Sequence, residues 1–314
     1  MEKYVVKRLL QLIPIVFGIT LLSFAMMRLA GSDAITQMYN NTGTVVSEEI
    51  IEQARARLGL DKPFIVQYFL WLGGMLRGDM GVSYVTSKPV FSTFVSKLPS
   101  TLFLTLTSVI FTIAVAVPLG IWSAVKQNKV TDYIIRVCTF VGNSLPNFFV
   151  ALLLLELFAI KLKVLPVLST GTDFTSVIMP TLTLGISMAS KYTRQVRAAV
   201  LDELSKEYVV GAQARGVRGK VILWGSVLRS SLLTIVTLLA MSVGSLLGGT
   251  AIVESIFMWD GVGKLAVDSI TVRDYPIIQA YVVWMAIIFV VINLVTDLLY
   301  HRLDPRIRLG GDRK

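Results

Sequence analysis

Long apolar segments separated by basic loops are the feature that most restricts the fold of this chain. Six segments occur, at about residues 9–30, 101–125, 134–160, 177–190, 232–257 and 277–300. A helix needs about 20 apolar residues to cross a bilayer. Of the 314 residues, 54% are hydrophobic and only 16% are charged, whereas a soluble chain carries about a quarter charged residues. The sequence therefore predicts an all-α, polytopic membrane protein with six transmembrane helices.

The distribution of Lys and Arg predicts the orientation of these spans. Basic residues are concentrated at the N-terminus, after the second and fourth spans, and in the C-terminal tail. The two short loops on the other side hold only Lys161 with Lys163 and Lys264 with Arg273. Because cytoplasmic loops carry an excess of basic residues, both termini are expected in the cytoplasm. The net charge of +10 then reflects these loops rather than nucleic-acid binding.

The predicted organisation has three parts. Residues 1–30 form an N-terminal transmembrane helix, which we expect to be retained because its apolar run is longer than that of a signal peptide. Residues 31–99 form an extracytoplasmic cap segment with a few helical stretches. Residues 100–314 form a five-helix core that includes a cytoplasmic loop at 201–231.

The cytoplasmic loop at 201–231 has the composition of a docking element. Its small residues Gly211, Ala212, Ala214 and Gly216 fall on one predicted short helix, and small side chains let a helix lie close to a partner in a groove. Gly216 suits the end of that helix because glycine tolerates the left-handed conformation. A solvated loop that only connects two spans is the alternative that this pattern leaves open.

Acidic residues inside the predicted spans are candidates for function, because a charge within the bilayer is costly. Glu254 is expected either to line a translocation path near its outer mouth or to pair with a basic residue at the interface. For Glu156 and Asp297, pairing with a basic neighbour is the expectation.

A helix break and a set of glycines supply the other candidates for the path. Residues 144–148 read Ser-Leu-Pro-Asn-Phe and predict a break or kink in the third span, which makes Ser144 and Asn147 candidate path residues. Gly248 and Gly249 share a helix face with Gly244 and serve either close helix packing or a pore wall.

Catalytic and metal-binding motifs are absent from the sequence. There is no phosphate-binding glycine loop with a lysine, no zinc-ligand spacing and no nucleophile beside a base. The single cysteine, Cys138, excludes a disulfide within the chain, and the single histidine, His301, excludes a histidine cluster. We therefore expect neither an enzyme nor a cofactor bound by this chain.

The cytoplasmic loop at 201–231 and several other stretches of the chain resemble binding-protein-dependent ABC importer permeases, in the branch that carries peptides and nickel. The family's pattern of E-A-A, three residues and glycine falls on Val210, Gly211, Ala212 and Gly216, without the acid. Asp260 departs from the family's pattern, because it stands where the family usually has proline, so the resemblance does not define the turn of that outer loop. Further similar stretches lie at residues 59–63, 78–83, 144–148, 208–209, 212–217, 227–229, 248–257, 261–263, 273–276 and 303–306.

The resemblance implies a type I importer permease fold in the bacterial cytoplasmic (inner) membrane. This chain would be the first of two homologous permease subunits, coupled through Glu207, Tyr208 and Arg215 as well as the small residues. Its partners would be the second permease, two ATPase subunits that bind ATP and Mg, an extracytoplasmic substrate-binding protein and membrane lipid.

The cargo is predicted from one loop. The short outer loop before the fourth span is more similar to nickel-type members, so nickel, carried as a chelate, is the expected cargo, with di- or oligopeptides as the alternative. A rival of another class is an ion-coupled secondary transporter, which often has broken helices and midplane charges in paired halves. No second half of this sequence mirrors Pro146 and Glu254, and a membrane enzyme has no catalytic residues to support it.

The topology predicts the location of fused reporters. A reporter after Asp61 should be active only outside the cytoplasm, and one after Arg218 only inside, because basic loops stay on the cytoplasmic side. Paired alkaline phosphatase and green fluorescent protein fusions measure both locations. Cytoplasmic fluorescence from the fusion at Asp61 would contradict the predicted orientation.

Overall fold

The computed structural model describes residues 2–29, 47–57, 61–168 and 174–303, without some side chains of the first and last helices, of residues 48–57 and of residues 233–249. Within these ranges the regular structure is helical, apart from one isolated antiparallel bridge between Val82 and Pro89. Three predicted features lie outside the described residues: the part of the cap segment at 31–46, part of the turn at 59–63, and the basic tail after residue 303.

The helices follow the predicted order along the chain. They are α1 (Glu2–Leu29), α2 (Glu48–Arg57), α3 (Phe64–Leu76), α4 (Val90–Val125), α5 (Val130–Ser144), α6 (Asn147–Leu154), α7 (Phe174–Leu204), α8 (Glu207–Ala214), α9 (Gly219–Ile222), α10 (Leu228–Ile256), α11 (Val262–Thr271) and α12 (Tyr275–Leu303). Two π-helical segments are also described, Leu155–Lys161 after α6 and Leu223–Val227 after α9.

Length and composition identify some of these helices as membrane spans. Val90–Val125 and Tyr275–Thr296 are each long and apolar enough to cross a bilayer. The pair formed by Val130–Ser144 and Asn147–Lys161 is apolar enough only when taken together and is bent by 100° at the Ser-Leu-Pro-Asn break, as in a broken span or a re-entrant loop. The break is therefore confirmed, and the six-span arrangement is consistent with these helices but stays a prediction.

The described residues divide into two compact units, the first comprising Met1–Thr101 and Asp260–Val290. An aromatic cluster joins α1 to α3, in which the buried rings of Phe24 and Tyr68 lie 5.6 Å apart. The Tyr68 hydroxyl also shares a 2.9 Å hydrogen bond with Thr20. Such a pairing satisfies the polar end of a buried tyrosine.

The stretches at residues 78–83 and 273–276, both noted in the sequence, are in contact inside this first unit. The buried carboxylate of Asp274 accepts hydrogen bonds from the Ser83 hydroxyl and from the Tyr84 backbone N–H. In the same unit, Lys97 forms an ion pair with Asp260. The outer turn at 260 is thus fastened by a charge pair.

The second unit, Leu102–Trp259 with Val291–Lys314, is built around α7. Helices α5 and α10 pack against α7, and its core contains Leu104, Leu184 and Trp259, each at most 1% exposed. Asp132 of α5 is fully buried and binds Arg197 of α7 through two 2.8 Å hydrogen bonds. A buried carboxylate requires such a partner, because an unpaired charge in the interior is costly.

Close helix packing in this unit depends on glycine. A Cβ atom at Gly120 of α4 would lie 2.6 Å from Cβ of Val196 and 2.9 Å from the Thr193 carbonyl oxygen. Carbon atoms normally pack at about 3.5–4.0 Å, so α4 and α7 approach each other here only because the side chain is absent.

Gly120→Ala should therefore destabilise the protein by about 1–3 kcal/mol, the usual cost of overpacking. Gly18→Ala in α1 is the matched control, since nothing lies within 4 Å of its Cβ position. Thermal unfolding of the purified complex, followed by size-exclusion chromatography, compares the two. An unchanged apparent Tm for Gly120→Ala would show that the helices separate without cost.

Candidate coupling helix and translocation path

The predicted docking helix is α8, Glu207–Ala214. Lys206 precedes it in an extended conformation, with φ −74° and ψ 149°, and Glu207 lies in the first turn. An acidic residue is favourable there because the helix dipole is positive at its N-terminus. Local sequence thus sets where the helix begins.

Glycine ends α8 as the sequence predicts. Gly216 has φ +77°. The Gly216 N–H donates to the Gln213 carbonyl at 2.9 Å, and the Val217 N–H donates to the Ala212 carbonyl at 3.1 Å. This pair of bonds is the Schellman motif, which satisfies the last carbonyls of a helix.

One side of α8 is anchored on the chain's own core. Val209 is fully buried among residues of α7, α9 and α10, and Ala212, one turn later, is partly buried against the same cluster. The remaining side chains of the helix project outward, and Tyr208, Val210 and Ala214 are exposed. Ala212 therefore packs against the chain's own core, whereas Ala214 lies on the exposed side of the helix, which we call its free side.

The four small residues of the predicted docking helix therefore have different surroundings. Gly211 is half-buried, while Arg215 and Gly216 are exposed beyond the end of the helix. The physical reason is that residues 209 and 212 are three apart and so lie on the same face. Composition alone does not reveal which side of so short a helix is buried.

A small polar network holds the start of α8 to the end of α7. Glu203 pairs with Lys206 and accepts a 2.9 Å hydrogen bond from the Tyr208 hydroxyl. Burial and the bond to Glu203 raise the pKa of Tyr208, and the bond to Glu203 raises the pKa of Lys206. Both groups therefore keep their protons at neutral pH, so the network holds its charge pattern.

The candidate path residues at the break differ in accessibility. Ser144 is exposed, and its hydroxyl donates to the Phe140 carbonyl at 2.8 Å. Asn147 is half-buried at the start of α6. Leu145 and Pro146 between them are extended, and irregular backbone at membrane depth is tolerated where it lines a cavity or is covered by protein. A position on the path stays a prediction for both polar residues.

The acidic candidates have different surroundings. Glu254 is fully buried in α10, so its exposure to a path stays a prediction that this burial does not favour. Oε1 of Glu156 lies 3.4 Å from Nζ of Lys161, as expected for an acid paired with a basic neighbour. Gly248, Gly249, Asp297 and His301 lie in helices, but their side-chain surroundings are outside what the structure describes.

Sequence reasoning missed the basic residues that line a cavity between α5 and α7. Arg136, Arg194 and Arg197 face a space of 440 Å³ together with Tyr133, Val137 and Phe140. The sequence signal that could have found this site is the run of basic residues Lys191, Arg194 and Arg197 in the second half of α7. Among the described side chains, no group of three or more His, Cys, Asp or Glu residues is placed to hold a metal ion.

Known proteins match this chain over nearly its full length. Residues 116–309 match the family model described as the inner membrane component of binding-protein-dependent transport systems, and residues 1–105 match the model of its N-terminal part. The oligopeptide transport system permease protein AppB of Bacillus subtilis (strain 168) is 37% identical over 98% of this chain and 99% of its own length. The glutathione transport system permease protein GsiC of Escherichia coli (strain K12) is 36% identical over the same shares.

Solved structures of lower identity support the fold. An inward-facing form of the MetNI methionine ABC transporter aligns with a TM-score of 0.58 and 16% identity, covering 70% of this chain and 100% of that chain. A second alignment, to an amino acid ABC transporter crystallised with histidines, has a TM-score of 0.52 and 15% identity, covering 67% and 94%. The chain belongs to the family of inner membrane components of binding-protein-dependent transport systems and is a multi-pass permease subunit of an ABC importer.

Proposed function

We propose that this chain forms half of the translocation path for di- or oligopeptide-type substrates, with a second homologous permease supplying the other half. The observation that supports this choice of cargo is the similarity, over 98% of the chain, to permeases named for oligopeptide and glutathione transport. Glutathione is itself a peptide, so the two relatives agree on the chemical class. The nickel expectation rested on the length of one outer loop and receives no specific support from these relatives.

An ion-coupled mechanism does not fit this family. Its members act with a substrate-binding protein, and the energy comes from ATP hydrolysis on separate ATPase subunits rather than from this chain. In the proposed complex, α8 is the helix that contacts an ATPase subunit. Its support is the geometry described above: a short helix seated on its own core by Val209 and Ala212, with Ala214 on the free side.

Deletion of the gene tests the cargo. Uptake of a labelled tripeptide and of glutathione should fall, and uptake of labelled nickel with a chelator should not, because the path would be shaped for peptides. Complementation with the intact chain is the control for effects on neighbouring genes. Loss of nickel uptake with unchanged peptide uptake would restore the nickel assignment.

Substitution on the free side of α8 tests the coupling role. Ala214→Trp should hold α8 away from an ATPase groove, because a well-packed interface tolerates added volume poorly and typically loses about 1–3 kcal/mol. Stimulation of ATPase activity by the binding protein should therefore fall sharply in reconstituted complex, while insertion and pairing with the second permease persist.

Matched variants separate this effect from general damage. Ala214→Ser changes little volume and should be tolerated, and Ala56→Trp places the same bulk on the exposed side of α2. The variant Ala212→Trp is a poorer test, because Ala212 packs against the chain's own core. Full stimulation in Ala214→Trp would mean that another surface contacts the ATPase.

A further inference from the structure

We propose that the cavity between α5 and α7 binds an anionic phospholipid of the cytoplasmic leaflet, with the arginines holding the phosphate and the apolar side chains contacting the acyl chain. The cavity of 440 Å³ is lined by three arginines and three apolar or aromatic side chains. In a cytoplasm-facing part of a membrane protein, basic pockets between helices suit anionic lipid headgroups.

Among the described residues, one carboxylate pairs with an arginine of this cavity, that of Asp132 with Arg197. The carboxylate of Asp132 binds Arg197 through both of its oxygens and accepts further bonds from the Ser123 hydroxyl at 2.5 Å and the Asn128 N–H at 3.0 Å. Its single negative charge balances Arg197.

Two positive charges remain for a ligand. Among the described residues, no carboxylate lies within ion-pair distance of Arg136 or Arg194. Arg136 lies over the ring of Tyr133, with its guanidinium carbon 5.6 Å from the ring centroid, and this contact restricts where the charge points. Guanidinium groups bind phosphate oxygens through paired, charge-assisted hydrogen bonds, so the site matches a phosphate-bearing anion.

The apolar wall of the cavity favours a lipid over a soluble phosphate. Tyr133, Val137 and Phe140 are spaced at i, i+4 and i+7 and therefore share one face of α5. Each is more than half exposed, so the face is open to an acyl chain. A soluble phosphate compound would leave this apolar surface in water.

The position of the cavity along the chain agrees with the membrane interface. Arg194 and Arg197 lie about 15 and 10 Å before the end of α7 at Leu204, at 1.5 Å per residue, and α8 follows directly. In the predicted topology this end of α7 is cytoplasmic. Tyr133 is of a residue type that is enriched where the bilayer meets water.

Lipid titration of the whole transporter complex in a neutral detergent tests the proposal. Binding of phosphatidylglycerol and phosphatidylcholine is measured by native mass spectrometry for the wild type and for the double variant Arg136→Gln/Arg194→Gln. The wild type should bind one phosphatidylglycerol in preference to phosphatidylcholine. The variant should bind it about tenfold more weakly or worse, as expected on losing hydrogen bonds to a charged group.

The control variant is Lys126→Gln/Lys129→Gln, which removes the same charge from the exposed loop beside Asp132 without lining the cavity. It should retain the wild-type preference. Equal losses in both variants would mean diffuse attraction rather than a site, and unchanged binding in the arginine variant would remove the site altogether.

Two more arms cover the other occupants. Glycerol phosphate should not displace phosphatidylglycerol at matched concentration, and displacement would assign the cavity to a soluble phosphate. If Arg136→Gln/Arg194→Gln no longer assembles with the second permease, while the charge-preserving Arg136→Lys/Arg194→Lys does, the cavity is a subunit interface and the lipid proposal fails.

Discussion

The ion pair between Asp132 and Arg197 is the interaction on which the second unit depends. The carboxylate is fully buried and accepts hydrogen bonds from α7, from Ser123 of α4 and from the turn before α5. Removing one partner of a buried pair typically costs about 3–5 kcal/mol, because the other charge is left unpaired in the interior. Three helices are thereby held in one arrangement near the cytoplasmic end of α7.

Helix α8 is attached to this packed arrangement at its first turn and through one buried side chain. Helix α7 continues without interruption from Phe174 to Leu204, and the Glu203 network joins its last turn to the first turn of α8. Val209 then seats α8 in the core that α7 shares with α10. A force applied to the free side of α8 therefore acts on packed helices rather than on a flexible loop, as a coupling element requires.

Local features of the fold were predictable from the sequence, whereas distant pairings were not. The end of α8 at the left-handed Gly216 and the break at Pro146 depend on residues within one or two turns, and the structure confirms both. The pairing of Asp132 with Arg197 joins residues 65 apart, and no local pattern indicates it. The inward position of Ala212 likewise depends on which core α8 meets.

The same distinction applies to the candidate site and the cargo. The burial of Glu254 follows from helix packing that its neighbours in sequence do not reveal. The nickel prediction used the length of one loop, whereas the relatives match over 98% of the chain and are named for oligopeptide and glutathione transport. The motifs together identified the family, while the length of a single loop does not distinguish its cargoes.

Site-specific cross-linking measures the central claim, that α8 contacts an ATPase subunit, most directly. Cys138 is the only cysteine of the chain, so Cys138→Ser gives a cysteine-free background for Ala214→Cys. A short thiol-to-amine cross-linker should join position 214 to an ATPase subunit, and a cysteine at exposed position 56 in α2 should give no such product. Cross-linking of the ATPase from another loop, with none from position 214, would contradict the account.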